Sequence, residues 1–109
     1  MSAAVDRTLA ALADPNRRRA VELLGQQPRP AGELARAMGL SPPAMSRHLK
    51  TLRLSGLVED DHDGFDARVR IYRLKVGAME ELKAWMEATE RLWADQLLAF
   101  KAHIEGQDS

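Results

Sequence analysis

Glu33-Leu34-Ala35-Arg36-Ala37-Met38-Gly39-Leu40-Ser41-Pro42-Pro43-Ala44-Met45-Ser46-Arg47-His48-Leu49 is the stretch on which the reading of this sequence turns. Leu34, Ala35 and Met38 share one side of a short helix over about 31–38. Ala35 is small where two helices would cross closely. Gly39 suits the positive φ of a tight helix end. Ser41 is a favoured N-cap, and Pro42 fits the first position of the next helix. Met45, Leu49 and Leu52 recur at i, i+4, i+7 and predict an inward face. That helix runs to about Leu54, and Gly56 closes it. A helix, a tight turn and a capped helix are the constraints of a helix-turn-helix. With Met45, Leu49 and Leu52 inward, Pro43, Ser46, Arg47 and Lys50 face outward, and His48 lies between faces.

Such a unit holds one helix across a DNA backbone and projects the start of the next into the major groove. The outward residues have suitable chemistry. Arg47 can read guanine or hold a phosphate, Ser46 can donate to either, and Lys50 suits a phosphate. Pro43 offers apolar contact to a thymine methyl, and His48 can donate to a phosphate or satisfy a local hydrogen bond. Ser41, at the start of the helix, completes the expected contact set. The plainer reading is a helical hairpin with a solvated basic side. The cap, the basic face and the following hairpin together favour DNA.

Working outward, Val5, Leu9 and Leu12 predict one face of a first helix. Asp14-Pro15 ends it and starts a second, near Pro15–Leu24, with Gly25 at its C-terminal end. Arg17, Arg18 and Arg19 fall in the first turns of that helix, where the dipole disfavours positive charge. A partner or a phosphate nearby is therefore expected. Gln26 to Pro30 reads as a turn. After Gly56 the period changes: Leu57–Asp60 reads as a strand, His62–Asp66 as a loop and Val69–Leu74 as the returning strand. A long helix follows from about Gly77 to Ile104. Its stripe is Leu82, Trp85, Met86, Leu92, Trp93, Leu97, Phe100 and Ile104, with a favourable Glu87–Arg91 pair on the opposite face. We expect one domain over 1–105 and a frayed tail over 106–109.

The 109 residues carry 16 Lys and Arg against 16 Asp and Glu, so the formal net charge is zero. By itself that argues against a nucleic-acid partner, yet the charge is unevenly spread. Residues 17–53 hold eight bases and two acids, net +6. Residues 54–66 are net −5, 67–75 net +4, and 76–109 net −4. The basic block coincides with the candidate DNA-reading helices, and such a block attracts phosphate whatever the total. There is no cysteine, which removes disulfides, zinc–thiolate sites and thiol catalysis. No apolar run approaches a membrane span, and the N-terminus lacks a secretory pattern. A cytoplasmic protein without a membrane partner is expected. No Ser-His-acid arrangement or glycine-rich phosphate loop suggests an enzyme, and no cofactor is expected.

At this point the sequence resembles the ArsR/SmtB-type winged-helix repressors. Asp14-Pro15-Asn16-Arg17-Arg18-Arg19 before an apolar helix looks like their second-helix signature. Leu40 to Arg53 is similar to their recognition helix. Leu54-Ser55-Gly56-Leu57-Val58 resembles the entry to their wing, and Tyr72-Arg73-Leu74 its exit. The likeness covers roughly residues 5–100 in order. It implies a mostly α fold with a β-hairpin wing, dimerised through its first and last helices. It also implies a homodimeric repressor on double-stranded DNA, with the helix near 42–54 in successive major grooves of an inverted repeat. Leu9, Leu12, Trp93 and Leu97 are the candidate dimer contacts.

The sequence departs from that family at its sensor sites. The third helix has no thiol, and the last has one histidine, His103, so no metal site is expected. Glu59-x-Asp61-x-Asp63-Gly64 only approaches a calcium loop, with Arg70 where the twelfth-position Glu belongs. What remains is repression by abundance or an unidentified small-molecule effector. Trp85, Met86 and Trp93 could line an organic-ligand pocket, although a core stripe explains them more simply. A winged-helix interaction module that has lost DNA binding is a further alternative, and Arg47 and Lys50 argue against it. The five acids of the wing are awkward for DNA. Arg68 and Arg70 are the expected wing contacts, with the acids turned away or paired to them or to Arg17–Arg19.

Overall fold

The computed structural model describes residues 2–107. The order is α1 (Ala3–Ala11), α2 (Pro15–Gln26), β1 (Arg29–Pro30), α3 (Ala31–Met38), α4 (Pro42–Leu54), β2 (Val58–His62), β3 (Arg70–Leu74) and α5 (Val76–Gln107). Among the described residues, five helices accompany a three-stranded antiparallel sheet of order β1-β3-β2. The architecture is the expected winged helix-turn-helix.

The local signals explain most boundaries. Asp14 caps α2, its carboxylate accepting from Asn16 N at 2.7 Å and Arg17 N at 3.2 Å. Ser41 caps α4 through Ala44 N at 3.3 Å. Helix α3 has only Pro30 before it and no side-chain cap. Helices α3 and α4 end alike. Gly39 takes φ +66°, and Leu40 N reaches back to Ala35 O at 2.9 Å. Gly56 takes φ +83°, and Leu57 N reaches Leu52 O at 3.0 Å. These paired turns satisfy the last carbonyls of each helix and need left-handed backbone, which glycine supplies without strain.

The core lies where α2, α3, α4 and β2 meet. Ala20, Leu34, Leu52 and Leu57 are wholly buried, and Met45, Leu49 and Val58 nearly so. Tyr72 and Leu74 of β3 pack on this core, which settles the buried face of that strand. Ala78 and Met79 pack on it from the start of α5, and Leu82 is buried one turn later.

Several expectations need correction. Gly25 lies inside α2, which continues to Gln26, and it takes no positive φ. Residues 29–30 form a short strand rather than part of a turn, because Arg29 and Pro30 pair with Tyr72 and Ile71. Strand β2 extends to His62, since Asp61 and His62 find partners in Ile71 and Arg70. The buried face of α1 is Val5, Thr8 and Ala11, while Leu9 is exposed and Leu12 half-buried against the core. Thr8 can be buried because its hydroxyl donates to Ala4 O at 3.0 Å. Glu87 pairs with Lys83, at 4.0 Å, rather than with Arg91. Helix α5 runs through Gly106 and Gln107; Asp108 and Ser109, the rest of the expected tail, lie outside the described residues.

Candidate nucleic-acid interface

Burying Met45, Leu49 and Leu52 fixes the rotation of α4 about its axis. Its other faces then point outward by geometry. Ser41, Pro43, Ser46, Arg47 and Lys50 are all exposed, and His48 is half-buried as expected. Ser41 is already engaged as the cap. Arg47 and Lys50 meet no carboxylate among the described residues. The two positive side chains best placed on the exposed face of α4 are therefore free to take a ligand's charge.

Beside them runs an open cleft of about 570 Å³ between α3, the first half of α4 and β3. Arg36, Ser46, Arg68, Arg70 and Tyr72 line it. Arg36 is a residue that the sequence reading missed. Its place on an exposed side of α3 was legible from the burial of Leu34 and Ala35, but its closeness to the wing depends on how the hairpin folds back.

Two of the five acids expected to burden the wing, Asp60 and Asp66, are paired with arginines. Arg68 is almost fully exposed and pairs with Asp66 at 3.2 Å. Its guanidinium and its backbone N–H both donate to that carboxylate and hold Asp66 below the usual carboxylate range. Asp63 accepts from Phe65 N at 3.0 Å and shapes the turn. Asp60 sits between Arg53 of α4 and Arg70 of β3, 3.7 Å from each. Burial pushes the Tyr72 phenol up, and the Asp60 carboxylate adds to the effect. Arg68 answers Asp66, and Arg53 and Arg70 answer Asp60; Glu59, Asp61 and Asp63 meet no arginine in an ion pair among the described residues.

The Arg17–Arg19 cluster has a different role. Arg17 donates to Ala11 O at 2.6 Å, and Arg18 to Leu12 O at 2.8 Å and Ala13 O at 3.1 Å. These guanidinium groups cap the C-terminal end of α1, where the helix dipole welcomes positive charge. Arg19 pairs with Glu22 at 3.2 Å. The cost of placing cations at the start of α2 is thus offset by the neighbouring helix end. Burial opposes ionisation of Asp14, yet the N–H groups of Arg17 and Asn16, with the charges of His48 and Arg17 nearby, hold its carboxyl below the ordinary value.

Far from this face, α5 presents a second surface. Met86, Trp93, Leu97, Phe100 and Ile104 fall at helical spacing and are all exposed. Trp93 is 68% exposed and Leu97 66%. Leu9 of α1, the helix packed beside α5, is 37% exposed. Among the described residues, no three His, Asp or Glu side chains gather as a metal site. No described helix is long and apolar enough to cross a membrane.

A fold with this turn, this capped helix and this hairpin defines a winged helix-turn-helix protein. The comparisons agree. Residues 14–60 match the model of the bacterial regulatory protein arsR family. The HTH-type transcriptional regulator Rv2034 of Mycobacterium tuberculosis is 38% identical over 106 residues, covering 95% of this chain and 94% of that protein. The transcriptional repressor SdpR of Bacillus subtilis is 29% identical over 76 residues, covering 70% of this chain and 81% of the repressor. Among solved structures, the homodimeric winged helix-turn-helix DNA-binding domain of Mb0332 from Mycobacterium bovis superposes with a TM-score of 0.62. It is 32% identical, over 87% of this chain and 82% of that one. This chain belongs to the arsR family of bacterial regulatory proteins, and it is a DNA-binding transcriptional regulator.

Proposed function

We propose that this regulator is a cytoplasmic homodimeric repressor of an inverted-repeat operator, with no catalytic activity. One observation carries the reading: the buried Met45–Leu49–Leu52 stripe leaves Ser46, Arg47 and Lys50 together on an exposed face of α4. In this reading Arg47 reads a base and Ser46 a base or phosphate. Ser41, His48 and Lys50 hold the backbone, and Pro43 packs on a thymine methyl. Arg68 and Arg70 carry the wing's contacts. The similarity to a named repressor and to a homodimeric neighbour supports the assignment.

The dimer is formed by the bare stripe of α5 with Leu9, Leu12, Trp93 and Leu97 at its contacts. An apolar patch of that length on one chain marks an interaction surface. Repression follows from occupancy, without a metal.

Selection of bound duplexes from a random pool tests the reading. The expected outcome is an enriched inverted repeat. Arg47→Ala should weaken binding to that repeat by about 1–3 kcal/mol and relax one position of it. Lys50→Ala should weaken all sequences alike. If no sequence is enriched, the interaction module replaces the repressor.

A further inference from the structure

Strand β2 places an acid where an apolar residue would be usual. Val58 is buried, and residues two apart on a strand share a face. Asp60 therefore lies on the core side of the hairpin, and its side chain is only 13% exposed. Across the ladder it faces Tyr72, which packs on the core. The carboxylate does not sit there unanswered. One oxygen lies 3.7 Å from Arg53 Nη1 near the end of α4, and the other 3.7 Å from Arg70 Nε on β3. Each arginine is about half exposed, 46% for Arg53 and 49% for Arg70.

We propose that Asp60 is a positioning residue that sets the wing against the DNA-reading helix. A single carboxylate with one arginine on each oxygen ties two elements that must meet one duplex together. Arg53 belongs to α4, which carries Arg47 and Lys50. Arg70 lies in the wing, at the edge of the cleft that also holds Arg36 and Arg68. Without the shared acid, two like charges would repel across the junction, and the hairpin, still seated through Leu57, Val58, Tyr72 and Leu74, would lose its charged link to the end of α4. Asp60 also aims Arg70. With Nε 3.7 Å from the carboxylate and the side chain 49% exposed, the other N–H groups of the fork remain available to a phosphate. The inference rests on the proposed DNA-binding reading and concerns how that surface is assembled.

Asp60→Asn separates positioning from plain charge. Removing an acid from a basic face should strengthen binding to any duplex. Removing a brace should weaken binding only where both elements must fit. The measurement is affinity of the full chain for the selected inverted repeat and for a scrambled duplex of equal length. The expected result is a loss of about fivefold on the repeat with unchanged or tighter binding to the scrambled duplex. Asp60→Glu, which keeps a carboxylate within reach of both arginines, should restore most of the loss. Tighter binding to both duplexes would overturn the inference in favour of simple charge. Equal loss on both, unrepaired by Asp60→Glu, would overturn it in favour of a folding defect. A wild-type chain that selects no sequence would overturn the DNA reading, and this inference with it.

Discussion

Helix α4 hides its apolar stripe, and helix α5 displays most of its own. In α4 the side chains of Met45, Leu49 and Leu52 are 1% exposed or less. In α5 burial stops after Leu82 and the half-buried Trp85, and from Met86 onward the large apolar residues stand in solvent. Both helices carry apolar residues at threes and fours. The difference lies in what surrounds them. Helices α2 and α3 and strand β2 converge on α4, whereas α5 runs away from the body. At the standard rise its 32 residues span about 48 Å, which accounts for most of the 73 Å long axis of a molecule 25 by 23 Å in section. Periodicity identifies the face that seeks burial; it does not identify what buries it.

The sharpest test of this contrast alters the apolar stripe of each helix in turn. Leu52→Ala should cost about 2–5 kcal/mol of stability, because a fully enclosed side chain leaves a cavity. Denaturant unfolding should show that loss at every protein concentration. Trp93→Asp with Leu97→Asp should act differently. The variant should keep its fold and sediment as a monomer, and its melting should lose the concentration dependence that a dimer shows. A double variant that still sediments as a dimer would break the account of why α5 is bare.

Glycine substitutions refine the comparison at smaller scale. Gly39→Ala forces an L residue into φ +66° at the turn leading to α4. It should cost about 1–2 kcal/mol in thermal unfolding, although no neighbouring atom obstructs the new methyl. Gly77→Ala, near the start of α5 with open space around it, should instead stabilise by roughly half a kcal/mol. Like signs for the two would show that backbone conformation does not govern them.

The smallest effect is the pH dependence that Asp14 gives the packed body. Asp14 has its folded pKa depressed by the N–H groups it accepts. Its contribution is fully present above the ordinary carboxylate value and is lost as pH falls through the lower, folded one. Asp14→Asn should be slightly less stable than the wild type at neutral pH and should lack that component of acid unfolding, the two melts converging at low pH. An unchanged acid limb would remove Asp14 from the capping account.

What could be read from the sequence was local. Ser41, Pro42, Gly39 and Gly56 fixed α4 and the turn before it through chemistry within a few residues. Strand β1 could not be read that way, since two residues become a strand only by pairing with Ile71 and Tyr72 far along the chain. Asp61 and His62 have poor strand propensity, and pairing overrode it. The burial of Thr8 in place of Leu9 is not legible from spacing alone, since it depends on the hydroxyl's bond to Ala4 O. At the candidate interface the outward face of α4 was legible from its inward one. The roles of Arg17, Arg18, Arg36 and Arg53 were not, because each depends on which element folds back to meet it.

The two guanidinium groups at the end of α1 have a consequence for ions in solution. The basic block holds eight cations, but Arg17 and Arg18 are committed to the carbonyls of Ala11, Leu12 and Ala13. Arg29 is enclosed by Leu23 O, Gln26 and Glu33. With their N–H groups so engaged, those three are the least available to take a phosphate directly. Each phosphate neutralised contributes about 0.9 to the slope of log affinity against log salt. The slope per subunit from this block should therefore reflect at most the five that remain, and a count of basic residues in the sequence overstates it.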